Sequence, residues 1–205
     1  MYMQGLNFRR FLVPFLTAFL LLLVNGIMMA RMDDRPFLYQ GVSDVRIPPF
    51  RTKDLQGNIV TQDIFAGKFT VVCFWMARDA DNSRKLLKSI QDWRNSAQVN
   101  IQLVGMVGDL RNMSDEAQAS SALSVSNEIP AVPQILVNDE LASLLVRIRN
   151  APTVFFVDGQ GNLVGQPVVG NEPILVQKEA MRLIKAESDE GKLQKEIQNS
   201  LFFRP

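Results

Sequence analysis

Histidine is absent from the 205 residues, and cysteine occurs once, as Cys73. Without histidine the chain lacks the side chain that ordinarily titrates near neutral pH, so the usual general base and the commonest metal ligand are both missing. A single cysteine rules out an intramolecular disulfide and thiolate-rich zinc or iron–sulfur sites. Surplus charge is missing too: 22 Lys and Arg face 21 Asp and Glu, for a net charge of +1. No basic cluster exceeds Arg9-Arg10, and aromatic residues do not alternate with basic ones. Nothing marks the chain for nucleic acid. Asp79, Asp81, Asn82 and Asp109 carry oxygens that a hard cation accepts, but they fit no metal-loop spacing and read as a solvated cap and turn. The "GQGN" stretch, residues 159–162, joins two extended segments and opens no helix, so it is no phosphate cradle. Neither a metal nor another cofactor is expected.

What the chain does have is one long apolar run. "FLVPFLTAFLLLLVNGIMMA", residues 11–30, carries no charge, and twenty helical residues span ~30 Å, the thickness of the bilayer's hydrocarbon core. Arg9 and Arg10 on its N-terminal flank predict a cytoplasmic segment 1–10, a transmembrane anchor 11–30, and export of everything that follows. A cleaved signal peptide, cut after Gly26 or Ala30, is the rival reading, and it exports the domain equally. The run is longer than an ordinary signal core, which favours the anchor. Residues 31–43 mix charges with Pro36 and Gly41 and read as a tether.

From residue 44 the pattern alternates strands with helices. "IPPFRTKDLQGNIVTQDIF" gives two short extended pieces around an "LQGN" turn. "GKFTVVCFW", residues 67–75, reads as a central strand buried on both faces. A helix follows, with Asp79 or Asp81 as its cap and Leu86, Leu87, Ile90 and Trp93 as its apolar face. "VNIQLVGMVGD" is the next strand, and residues 114–126 a weakly amphipathic second helix opening at Ser114. Then come an extended "VPQILVND", a short helix "ELASLLVRI", and a hairpin of "TVFFVD" and "LVGQPVV". Pro173 opens the last helix, and residues 188–205 read as a charged tail whose "LFFRP" end is disordered. The expected class is α/β with a mixed sheet flanked by helices.

With these elements in this order, residues 44–187 resemble the thioredoxin fold. They are most similar to the membrane-tethered TlpA/ResA-type thiol-disulfide oxidoreductases of the alkyl hydroperoxide reductase/thiol-specific antioxidant (redoxin) superfamily. "PPFRTKDLQGNIV" is similar to the family's opening hairpin and "GKFTVVCFW" to the strand that delivers its active-site turn. "APTVFFVDGQGNLVG" is similar to its cis-proline strand and hairpin, which puts Pro152 at the cis-proline position and makes Ala151, Pro152 and Thr153 the floor of a peptide groove. The family places Cys-x-x-Cys after the "FW". Anchored on Arg84-Lys85, that pair falls here on Ala80 and Ser83, and residues 76–88 contain no cysteine.

Thiol–disulfide exchange needs an attacking thiolate and a second sulfur to resolve the mixed disulfide. Ala80 has nothing to ionise, and Ser83 forms no disulfide. Cys73, inside the strand, reads as an inert core thiol. The resemblance therefore implies an extracytoplasmic, membrane-anchored thioredoxin-like protein with a degenerate site. It would bind or scaffold a protein or peptide client in envelope protein maturation. The alternative is a redoxin-type oxidoreductase or antioxidant protein serving cell redox homeostasis through Cys73 or a partner's thiol. A third reading is a structural subunit of a membrane complex.

Overall fold

A computed structural model of the chain describes residues 45–110, 115–146 and 148–202, with residues 190 and 192–202 described by backbone alone. The expected cytoplasmic segment, anchor and tether, residues 1–43, lie outside the described residues. Among the described residues no helix is long and apolar enough to cross a membrane.

The N-terminal hairpin pairs β1 (Arg51–Lys53) with β2 (Ile59–Thr61) in antiparallel register. Five further strands make one mixed sheet: β3 (Thr70–Trp75), β4 (Gln102–Val107), β5 (Gln134–Leu136), β6 (Thr153–Val157) and β7 (Leu163–Val169). Their spatial order is β5-β4-β3-β6-β7, with β3, β4 and β5 parallel and β6 and β7 antiparallel to their neighbours. The described residues also form four α-helices: α1 (Ala80–Ala97), α2 (Glu116–Glu128), α3 (Asp139–Leu145) and α4 (Pro173–Phe202).

The run "TVVCFW" has no polar face because β3 lies mid-sheet, covered on both sides. Val71, Cys73 and Trp75 join one apolar cluster with Leu86, Leu87 and Ile90 of α1, Ala122 and Val125 of α2, and Val176 and Ala180 of α4. Val72 and Phe74 join a second with Phe50 and Phe65 from the N-terminal segment and Leu141 of α3. Each Val, Leu, Ile or Phe among them contributes ~1.5–3 kcal/mol on burial. Strand position thus decides which layer each side chain stabilises.

Two turns are built to one plan. In "DLQGN", Asp54 Oδ1 accepts from the amides of Gln56 (2.9 Å) and Asn58 (2.8 Å), and Oδ2 from Asn58 Nδ2 (2.9 Å). In "DGQGN", Asp158 accepts from Gln160 (2.9 Å), Asn162 (2.8 Å) and Asn162 Nδ2 (2.9 Å). Gly57 and Gly161 each sit at φ +87°, a conformation glycine adopts without a Cβ penalty. The chain enters the domain beside the second turn, where Ile47 N–H donates to Gly161 O at 2.9 Å.

Three expectations shift. α2 is capped by Asp115, whose carboxylate accepts from the amides of Ala117 and Gln118, both at 3.1 Å. α3 stops at Leu145, with Asn138 as its cap. The last helix does not end where the charged tail was expected to begin. It runs unbroken to Phe202, so Leu201 and Phe202 are helical rather than a disordered end. Glu, Lys, Gln and Leu dominate residues 190–201, and these are strong helix formers whatever their charge.

Candidate functional site

β3 ends at Trp75, and the chain makes one 3-10 turn, Ala77–Asp79, before α1 begins at Ala80. The two positions on which the resemblance places the dithiol are buried: Ala80 against the core and Ser83 completely. The Ser83 hydroxyl donates to the carbonyl of Asp79 at 3.2 Å. It is tied back into its own helix.

Neither expected cap works as one. Asp79 stands at the N-cap position, but its carboxylate accepts from Asn82 Nδ2 (3.1 and 3.2 Å) and from no backbone amide. Asp81 is 82% exposed and lies 3.5 Å from Arg84 Nη1. The reason is geometric: the 3-10 turn runs straight into α1, so the free amides lie upstream, at residues 77 and 78. Asp109 takes them. Its Oδ1 accepts from Ala77 N–H at 2.6 Å and its Oδ2 from Arg78 N–H at 3.1 Å. The parallel pairing of β3 with β4 brings it there, and Gly108 N–H donates to Trp75 O at 2.9 Å beside it. Charge-assisted bonds of this kind are worth roughly 1.5–3 kcal/mol when buried and less where water competes, as at the exposed Arg78 amide. Among the described residues no group of three or more His, Cys, Asp or Glu is placed to hold a metal.

Beneath the turn lies a buried polar contact that polarity alone does not announce. Trp75 Nε1–H donates to Gln134 Oε1 at 3.0 Å, and Gln134 Nε2 donates to Val132 O at 3.1 Å. Both side chains are fully buried. Gly105, opposite Gln134 in the β4–β5 register, leaves the space the amide fills.

Cys73 occupies the same row of the sheet, between Gly105 and Val154. It is fully buried, and desolvation pushes its thiol up to about 12. The thiolate is the nucleophile in sulfur chemistry, so at neutral pH Cys73 is a packed apolar group.

Across from the turn, the Ala151–Pro152 peptide bond is cis. Phe74 pairs with Thr153, which brings Pro152 to the Trp75 end of β3. Most backbone groups here are engaged. Pro152 O accepts from Gly170 N–H (2.8 Å), and Asn150 O from the Thr153 hydroxyl (2.8 Å). Ala151 differs: half-buried, it has neither an amide nor a carbonyl partner among the described residues.

The fold as a whole matches known structures. The thioredoxin domain of a thiol-disulfide oxidoreductase from Bacteroides vulgatus is 23% identical, with a TM-score of 0.50 over 67% of this chain and 96% of that one. A putative thiol:disulfide interchange protein DsbE from Chlorobium tepidum is 16% identical, with a TM-score of 0.52 over 69% and 95%. This is a thioredoxin fold. Yeast Sco1 with copper bound shares it, at 16% identity and a TM-score of 0.54 over 72% and 95%. No family model matches the chain, and no curated protein matches it in sequence.

Proposed function

We propose that this protein is a thioredoxin-fold binding module without disulfide chemistry, which holds an extended segment of another polypeptide against Ala151. The amide and carbonyl of Ala151, without a partner among the described residues and beside Pro152, carry this reading, because an extended chain supplies the complementary acceptor and donor. The sheet's β5 edge offers no competing place. There the N-terminal hairpin bridges Asp54 to Ile135, and Leu55 N–H donates to Gln134 O at 2.9 Å. Ala80, Ser83 and the protonated Cys73 leave no nucleophile for exchange, which weighs against the oxidoreductase reading.

The apolar run 11–30 supports a membrane-anchored, extracytoplasmic setting. Among the described residues the chain enters the domain at the end of β6 and β7 opposite Ala151. Envelope protein maturation is proposed by analogy with the disulfide-interchange proteins that share the fold.

The test uses the full chain in detergent, with Cys73→Ser and Ala151→Trp variants. A reduced, thiol-blocked unfolded polypeptide serves as the model client, and disulfide reduction is assayed in parallel. Binding unchanged by Cys73→Ser and at least tenfold weaker in Ala151→Trp, with no reductase activity in any form, is the expected result. Reductase activity lost in Cys73→Ser would overturn it, as would binding indifferent to Ala151→Trp.

A further inference from the structure

We propose that Glu179 and Arg182 form a latch that stops β7 from pairing with a second copy of the chain. β7 is the outermost strand of the sheet: opposite β6, its backbone meets among the described residues only Val45, whose carbonyl accepts from Leu163 N–H at 2.8 Å, and the Glu179 carboxylate. An edge of this kind is a template for another strand, and two copies meeting across a two-fold axis would present the same edge to each other.

Three features disarm this edge at consecutive residues. Gly165 sits at φ +71° where the β6–β7 register shifts, and a Cβ there would lie 2.6 Å from both Glu179 Oε1 and Leu183 Cδ1. Glycine is what lets α4 approach. Gln166 N–H then donates to Glu179 Oε1 at 2.9 Å. Pro167 has no N–H to offer. The carboxylate is itself held by the Arg182 fork, with Nε donating to Oε2 at 2.9 Å and Nη2 to Oε1 at 2.7 Å. α4 cannot swing away, because Val176 and Ala180 on the same helix are fully buried in the core.

A bulged amide needs some acceptor, and a glutamine would serve that purpose. A glutamate adds an anion that the Arg182 guanidinium grips through two charge-assisted hydrogen bonds, a hold that a neutral glutamine would make far more weakly. That difference separates a latch from simple satisfaction of the amide.

The experiment measures self-association of the full chain in detergent by sedimentation equilibrium, with hydrogen exchange at residues 163–169. The native chain is compared with Glu179→Gln, Glu179→Ala and Glu179→Ala/Pro167→Thr. Self-association should strengthen in that order, at least tenfold between the native chain and Glu179→Ala, with concentration-dependent protection confined to β7. A folded Glu179→Ala that associates no more than the native chain overturns the proposal. So does a native chain already paired through β7. If Glu179→Ala does not fold, Glu179→Gln, which keeps the acceptor, decides: association above the native level supports the latch, and none overturns it.

Discussion

The turns at Asp54 and Asp158 are closed by side chains two to four positions from the amides they bind, whereas the turn at Ala77–Ala80 is closed by Asp109, 31 and 32 residues downstream. The first two carry their instructions in five residues. The third is a product of the finished sheet, because only the parallel pairing of β3 with β4 delivers the carboxylate. A locally closed turn keeps its shape when distant contacts are lost, and a turn closed from afar does not. The turn that leads from β3 into α1 is therefore the more context-dependent of the two kinds.

The largest perturbation of that contrast is Gly105→Ala. A methyl there takes the space of the Gln134 amide and separates it from Trp75, combining overpacking with a buried unsatisfied N–H. Urea unfolding should show a loss of about 3 kcal/mol or more. A loss below about 1 kcal/mol would mean that the Trp75 contact does not support the site. Asp109→Ala comes next, at about 2–3 kcal/mol, since two amides lose a charged acceptor together. Faster hydrogen exchange should appear at Ala77 and Arg78. If exchange speeds up equally at Gln160 and Asn162, the two ends of the sheet are not independent and the comparison fails.

Gly57→Ala and Gly161→Ala sharpen it from the other side. Both residues sit at φ +87°, and no atom lies closer than the Arg46 Nε, 3.8 Å from the site of a Cβ at Gly161. Each should cost about 1 kcal/mol, and a difference between them above about 1 kcal/mol would show that the shared plan hides unequal strain. The smallest effect is acid sensitivity at Glu179. The hydrogen bond from Arg182 is the main reason its carboxyl lies below the ordinary 4.5, with the Gln166 amide adding to it. Its folded value is depressed, so its contribution is complete above 4.5 and is lost as pH falls through that lower value. The Tm difference between the native chain and Glu179→Gln should stay constant from pH 7 to about 5 and shrink towards pH 3. Growth on acidification would contradict the sign.

Legibility in the sequence follows the same divide. "TVVCFW" shows a strand covered on both faces because every residue in it is apolar or small, and the core position of Cys73 follows from that. "DLQGN" and "DGQGN" show their turns because the bonds are internal to the motif. Asp109 and Gln134 stay hidden because their roles depend on neighbours distant in sequence. A polar Gln134 reads as surface until Gly105 is known to lie beside it in the sheet. The length of α4 is missed for a different reason: charge was read as solvation, although the residues carrying it are good helix formers.

Cys73 is chemically idle in the folded protein, and that makes it a clock. It is the only thiol in the chain, and it is sealed by pairing on both sides, to Gly105 and Val154. A labelling reagent reaches it only when the centre of the sheet comes apart, so its modification counts whole-domain openings and ignores fraying at the loops or along α4. One sulfur atom, useless for exchange, reports how often the fold lets go.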